Sequence, residues 1–234
     1  MQTLRISLIL SVVLLLPGIS SDGQAAAFVA PEDTILFMGD SITLASTKPA
    51  GFATLVGEGL KRALPGSNVD IQSVAKGGCG IKYLNTIFDT KSAPLKPDIV
   101  VILIGINDVR TSTDGPGPDP AEFEQQLDKL VARSQAIGAK TVICSPLIRG
   151  EKTDGSNPYD ALIEQYVAAC KNVATRTSSM FIDLRARFMD RLRVINPEND
   201  EEGHLSKDGV HPNAEGNALI ADAILAVWSI PNSR

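Results

Sequence analysis

The stretch Asp98-Ile99-Val100-Val101-Ile102-Leu103-Ile104-Gly105-Ile106-Asn107-Asp108 decides the fold. Ile99 to Ile104 is an unbroken apolar run, mostly β-branched. A strand of that composition needs cover on both faces, as in a parallel sheet with helices on each side. Working outward, the same alternation repeats. Ile35 to Met38 is a short apolar run that ends at Gly39. Phe52, Leu55, Val56, Leu60 and Leu64 recur at helical spacing, and Pro65-Gly66 stops that helix. Val69 to Val74 reads as a second strand. Asp119 can cap a helix that has Pro120 at its first position, continues through Phe123, Leu127, Leu130, Val131 and Ile137, and ends at Gly138. Thr141 to Cys144 and Met180 to Asp183 read as two more strands, with Asn157-Pro158 opening the helix between them and Asp183 capping the next. Asn213 caps a last helix carrying Leu219, Ile220, Ala223, Ile224 and Val227. Strands separated by helices imply a parallel sheet with right-handed crossovers. Thr111 to Pro118, Leu147 to Ser156 and Pro197 to Ser206 read as loops, the first two on the rim at the carboxyl edge of that sheet.

Residues 1–27 resemble a secretory leader: Arg5, then the apolar run Ile6 to Leu16, the break at Pro17-Gly18 and the small residues Ala25, Ala26 and Ala27. That run is far shorter than the roughly 20 residues a spanning helix needs, so export with cleavage is expected rather than a stable membrane anchor. Residues 28–234 then form one domain; 44% of the whole chain is hydrophobic, enough for a sizeable core. The net charge is −5, and Arg5 and Asp22 cancel within the leader, so the mature part is acidic. This argues against a nucleic-acid partner and offers no attraction to anionic lipid. Cys79, Cys144 and Cys170 match no disulfide framework or zinc spacing, and the last two are expected to be buried free thiols. No feature of the sequence fixes an oligomeric state.

Four motifs fall at strand ends or just before the last helix. They are Gly39-Asp40-Ser41, Gly77-Gly78-Cys79-Gly80, Gly105-Ile106-Asn107-Asp108 and Asp208-Gly209-Val210-His211. In that order they can supply a nucleophile, oxyanion donors and a base with an orienting acid, which is what acyl transfer requires. Each has a plainer reading. Ser41 could cap a turn, Asn107 could be a turn residue, and Gly77 could serve only chain reversal. A serine hydroxyl needs a base, and the chain has two histidines, His204 and His211. Asp208 precedes His211 by three residues, and Glu201 stands at the same offset before His204. His204, Asp208 and His211 could also be imagined as metal ligands, though no zinc pattern is present. Asp40 is read as support for the serine turn and Asp108 as a brace for its loop.

Gly39-Asp40-Ser41-Ile42-Thr43, Gly105-Ile106-Asn107-Asp108 and Asp208-Gly209-Val210-His211-Pro212 closely resemble the signature blocks of the SGNH hydrolases, the GDSL lipase/esterase superfamily. The resemblance runs from Thr34 to Val227. One block departs from it. Where the family has Asn-x-Gly, this chain reads Ala75-Lys76-Gly77, so the asparagine is missing and the glycine is kept. The resemblance implies a flavodoxin-like three-layer α/β/α sandwich with a five-stranded parallel sheet. It implies catalysis by Ser41, His211 and Asp208, with an oxyanion hole from the Ser41 and Gly77 amides and the Asn107 side chain, and no metal or organic cofactor. Substrates across that superfamily range from acetylated carbohydrate and other small-molecule esters to lysophospholipids and thioesters. Export, an acidic surface and polar rim loops favour short acyl esters, with lipid or thioester hydrolysis, a metal-dependent hydrolase and a non-catalytic carbohydrate-binding protein as alternatives.

Overall fold

The computed structural model describes residues 28–230 apart from Arg110, Thr113 and Asp114. The leader read at residues 1–27 lies outside the described residues. In chain order the elements are β1 (Thr34–Gly39), α1 (Ser41–Ala45), α2 (Phe52–Ala63), β2 (Asp70–Ala75), α3 (Ile81–Ile87), β3 (Ile99–Leu103), the short hairpin β4 (Thr111–Ser112) and β5 (Gly115–Pro116), α4 (Pro120–Ala136), β6 (Lys140–Cys144), α5 (Asp160–Thr177), β7 (Met180–Ile182), α6 (Leu184–Ile195) and α7 (Ala214–Val227). A π-helical turn at Phe88–Ser92 and a 3₁₀ turn at Ala93–Leu95 lead into β3.

The main sheet runs β2-β1-β3-β6-β7, and every pairing in it is parallel. Counted by chain order within that sheet, this is the 2-1-3-4-5 flavodoxin-like order. α2 packs against α7, which α6 also touches, while α3, α4 and α5 pack together. The sheet lies between these two layers. Every residue of β3 is buried, as its composition requires. β2, on an edge, is only half-buried along most of its length.

Helix ends follow local chemistry. Asp119 accepts from the Glu122 amide (2.8 Å), Asp183 from the Ala186 amide (2.9 Å) and Asn213 from the Gly216 amide (3.0 Å). Each satisfies one otherwise orphaned N–H of the first turn. α5 differs from the expected start at Asn157. It begins at Asp160, after a turn in which the Asp160 amide donates to the Asn157 carbonyl (3.2 Å), while the Asn157 side-chain amide holds the preceding loop through the Lys152 carbonyl (2.6 Å). The loop read at 111–118 contains the β4–β5 hairpin. All three cysteines are buried free thiols, and burial pushes the Cys144 thiol up to about 12. Among the described residues, no helix is long and apolar enough to cross a membrane.

Candidate active site

Strand register builds the site. Gly39 pairs with Ala75 on one side and with Leu103 on the other, so β1, β2 and β3 end level with one another. The chain beyond each end therefore opens onto one crevice, at the point where the strand order reverses. Ser41, Gly77 and Asn107 follow those three strand ends, and the segment before α7 brings Asp208 and His211 to the same place.

Ser41 is the first residue of α1, one step after its cap. The Asp40 carboxylate accepts from the Ile42 amide (2.9 Å) and so fixes the turn. Ser41 Oγ lies 2.8 Å from His211 Nε2, and His211 Nδ1 lies 2.7 Å from an Asp208 carboxylate oxygen. The other Asp208 oxygen accepts from the amides of His211 (2.8 Å) and Val210 (3.1 Å). Desolvation works against the charged form of Asp208, but these bonds from His211 and Val210 outweigh it and hold the carboxyl below its usual value. Asp208 is thus an anion at neutral pH, set against the Nδ1 side of the His211 ring.

Three donors follow the ends of β1, β2 and β3. The Ser41 N–H is at a helix start, where the helix itself offers no acceptor. Among the described residues neither it nor the Gly77 N–H donates to a protein acceptor. A methyl built on Gly77 would stand 4.0 Å from Ser41 Cβ, so that backbone directly faces the serine. The Asn107 amide gives one hydrogen to the Cys79 carbonyl (3.1 Å) and keeps the other. Asp108, buried beneath, accepts from the Ile81 amide (3.0 Å). Asn107 and Asp108 together tie the loop after β3 to the loop after β2. That tie provides bracing where Ala75 stands in place of the missing asparagine, and the neighbouring Lys76 lies over the Tyr83 ring, 4.4 Å from its centroid.

Asp40 is 1% exposed. Burial, with the Asp108 charge adding, pushes its carboxyl up to about 7 against the pull of the Ile42 amide and His211. It supports the turn, as its position in the sequence suggested.

The two histidines have separate partners. His204 Nε2 lies 3.2 Å from Asp200, not from Glu201, which pairs with Lys152 at 2.7 Å. The offset of three that made Glu201 look like a partner is overruled by the turn at Asn196–Asp200, where the Asn196 side chain ties down both ends. Among the described residues no group of His, Cys, Asp and Glu is arranged to hold a metal ion.

Glu151 has a role that the sequence did not reveal. It is 0% exposed, and its carboxylate accepts from the amides of His204 (2.7 Å), Leu205 (2.9 Å) and Ser206 (2.5 Å) and from the Ser206 hydroxyl (2.6 Å). Ser206 Oγ in turn receives the Gly209 amide (2.9 Å). One buried carboxylate thus pins the segment that carries Asp208 and His211. Glu151→Gln would set an amide N–H₂ against one of these donors. A buried group left unsatisfied costs about 1–3 kcal/mol. We expect a loss of stability in that range and a fall in kcat larger than the change in KM, because the segment holding His211 loosens. Thermal unfolding and steady-state kinetics well below the melting temperature check this. A variant matching the parent in both would remove Glu151 from the account.

A profile of the GDSL-like Lipase/Acylhydrolase family matches residues 37–219. An acetylxylan esterase of Geobacillus stearothermophilus is 30% identical over 210 residues, covering 82% of this chain and 92% of that one. The crystal structure of an acetyl xylan esterase, AlAXEase, superposes with a TM-score of 0.78 at 32% identity, over 83% of this chain and 98% of the other. That of LAE5, an alpha/beta hydrolase enzyme from the metagenome of Lake Arreo, Spain, superposes with a TM-score of 0.77 at 26% identity, over 89% of this chain and 100% of the other.

Proposed function

The chain belongs to the GDSL-like lipase/acylhydrolase family, and from that premise we propose that this member removes short acyl groups, acetyl above all, from carbohydrate outside the cytoplasm, with Ser41, His211 and Asp208 doing the chemistry. That it is a carboxylic ester hydrolase follows from the family and from relatives that are acetylxylan esterases. The observation that carries the mechanism is the continuous chain of contacts from Ser41 through His211 to Asp208, at 2.8 and 2.7 Å, on the carboxyl edge of the sheet.

Ser41 Oγ attacks the ester carbonyl while His211 Nε2 takes its proton. Asp208 holds the ring by Nδ1 and balances the imidazolium. The carbonyl oxygen becomes an oxyanion that receives the Ser41 and Gly77 amides and the free hydrogen of Asn107. A single such donor is worth roughly 3–4 kcal/mol in the transition state. His211 then hands its proton to the departing sugar oxygen, leaving an acyl-Ser41 ester. Water, deprotonated by His211, attacks that ester, and the carboxylic acid leaves with Ser41 restored. The leader expected at residues 1–27 fits a substrate found outside the cell.

Acyl length separates this reading from a lipid one. Each buried methylene is worth roughly 0.8 kcal/mol, so an enzyme with a deep acyl channel gains steeply along a series. Here the 147–156 rim carries Lys152, Thr153, Asp154 and Ser156 at half-buried or exposed positions. We expect kcat/KM on p-nitrophenyl esters to be highest from acetyl to butyryl, and acetate to be released from acetylated xylo-oligosaccharides. A rate that climbs through octanoyl, with the acetylated sugar untouched, would replace the carbohydrate reading with a lipid one.

A further inference from the structure

A groove of about 400 Å³ abuts the Asp208 side of the site. That is within the roughly 300–1,000 Å³ of small-molecule sites. Its floor is made where two loops meet. The Gly150 amide donates to the Gly209 carbonyl (2.8 Å), and the Glu151 amide to the Glu201 carbonyl (2.8 Å). Gly150 (φ 96) and Gly209 (φ 76) both sit in left-handed backbone, which side chains rarely adopt. A Cβ on Gly150 would also meet the Asn157 side chain at 2.2 Å. These bonds and close contacts fix the two loops against each other. Ser156 and Tyr159 line the groove on one side and Glu201 and Glu202 also border it, with Asp208 and Val210 bringing it against the triad.

Arg149 is the informative residue. Its guanidinium lies over the Tyr159 ring, 5.1 Å from the centroid, and one of its nitrogens reaches the Ile106 carbonyl at 3.3 Å. Ile106 adjoins Asn107, so Arg149 spans from the oxyanion loop to the groove. Among the described residues it has no carboxylate partner, whereas Lys152 in the same groove is neutralised by Glu201. A half-buried guanidinium has five N–H donors, and among the described residues most of these have no protein acceptor. Glu202 and Asp208 bring negative charge to the same groove and disfavour an anionic ligand such as a lipid phosphate.

We infer that this groove is the subsite for the alcohol side of the ester, a neutral polyhydroxylated chain, with Arg149 donating to its oxygens and Tyr159 offering a ring surface. The inference rests on the acetylated-carbohydrate reading and names where that substrate's sugar sits.

The test uses the full chain and two readouts. In the Ser41→Ala background, binding of an acetylated xylo-oligosaccharide is measured by calorimetry with Arg149 present and with Arg149→Met. In the active protein, kcat/KM on that oligosaccharide is divided by kcat/KM on p-nitrophenyl acetate. Arg149→Met should weaken binding about tenfold and lower the ratio about tenfold, the change lying in KM. Ser156→Trp, a substitution at an exposed loop position on the groove, should do the same without touching the core, and it decides the matter if Arg149→Met misfolds. Undiminished binding and an unchanged ratio, in a protein that does release acetate from the sugar, would overturn the groove assignment alone. A parent protein that cleaves p-nitrophenyl acetate but neither binds nor deacetylates the oligosaccharide would overturn the carbohydrate reading, and the groove assignment with it.

Discussion

Replacing Ser41 with alanine is expected to lower kcat by about 10⁴- to 10⁶-fold, the range seen when one member of a triad is removed. At roughly 1.36 kcal/mol per tenfold, that is about 5.5 kcal/mol of transition-state stabilisation or more. Among the described residues its side-chain hydroxyl makes one hydrogen bond, to His211, and the turn around it is fixed by Asp40 and the Ile42 amide rather than by the hydroxyl. The melting temperature should therefore stay close to that of the parent. Hydrolysis of p-nitrophenyl acetate and thermal unfolding, measured on the same preparation, check both halves. Near-normal turnover would remove Ser41 as nucleophile, and a collapse of stability would mean that the activity loss says nothing about chemistry.

The second large effect is an asymmetry between the two histidines. His211→Ala should approach the loss seen for Ser41→Ala, because these residues act as a unit. His204→Ala should cost less than about tenfold, since what holds its segment is the backbone amide that it donates to Glu151, and among the described residues its ring bonds Asp200. Parallel kinetics of the two variants read this directly. Equal losses would contradict the separate roles that the geometry gives them.

Much of this was legible because the deciding features are local. The run at 99–104 could only be a strand covered on both faces, and Asp119, Asp183 and Asn213 cap helices with side chains that reach just three residues ahead. Asp208 and His211 form their contact within one turn of chain, so their spacing carried the information. What the sequence hid depends on distant partners. Glu151 sits in a stretch of Gly, Lys, Thr and Asp that reads as a solvated loop, and its four donors come from 53 to 55 residues away. No local pattern marks it. Asn157 is a different case: its partner is local, since its side chain closes the loop before α5 onto the Lys152 carbonyl, and the helix that Asn-Pro seemed to open starts at Asp160. Glu201 was a false lead for the converse reason, since a spacing of three shows that a contact is possible but not that the chain turns the right way. The groove exists only where residues 149–159 meet residues 201–210, two segments that nothing in the sequence joins.

The central claim is that acyl transfer passes through Ser41, and covalent labelling tests it most directly. The intact protein is treated with a serine-directed phosphonate, its mass and residual esterase activity are followed together, and the modified residue is located by peptide mapping. The account predicts one phosphonyl group per chain, on Ser41, with activity lost in proportion to labelling and with labelling greatly slowed in His211→Ala. Full labelling that leaves activity intact, or inactivation that maps to a residue other than Ser41, would contradict it.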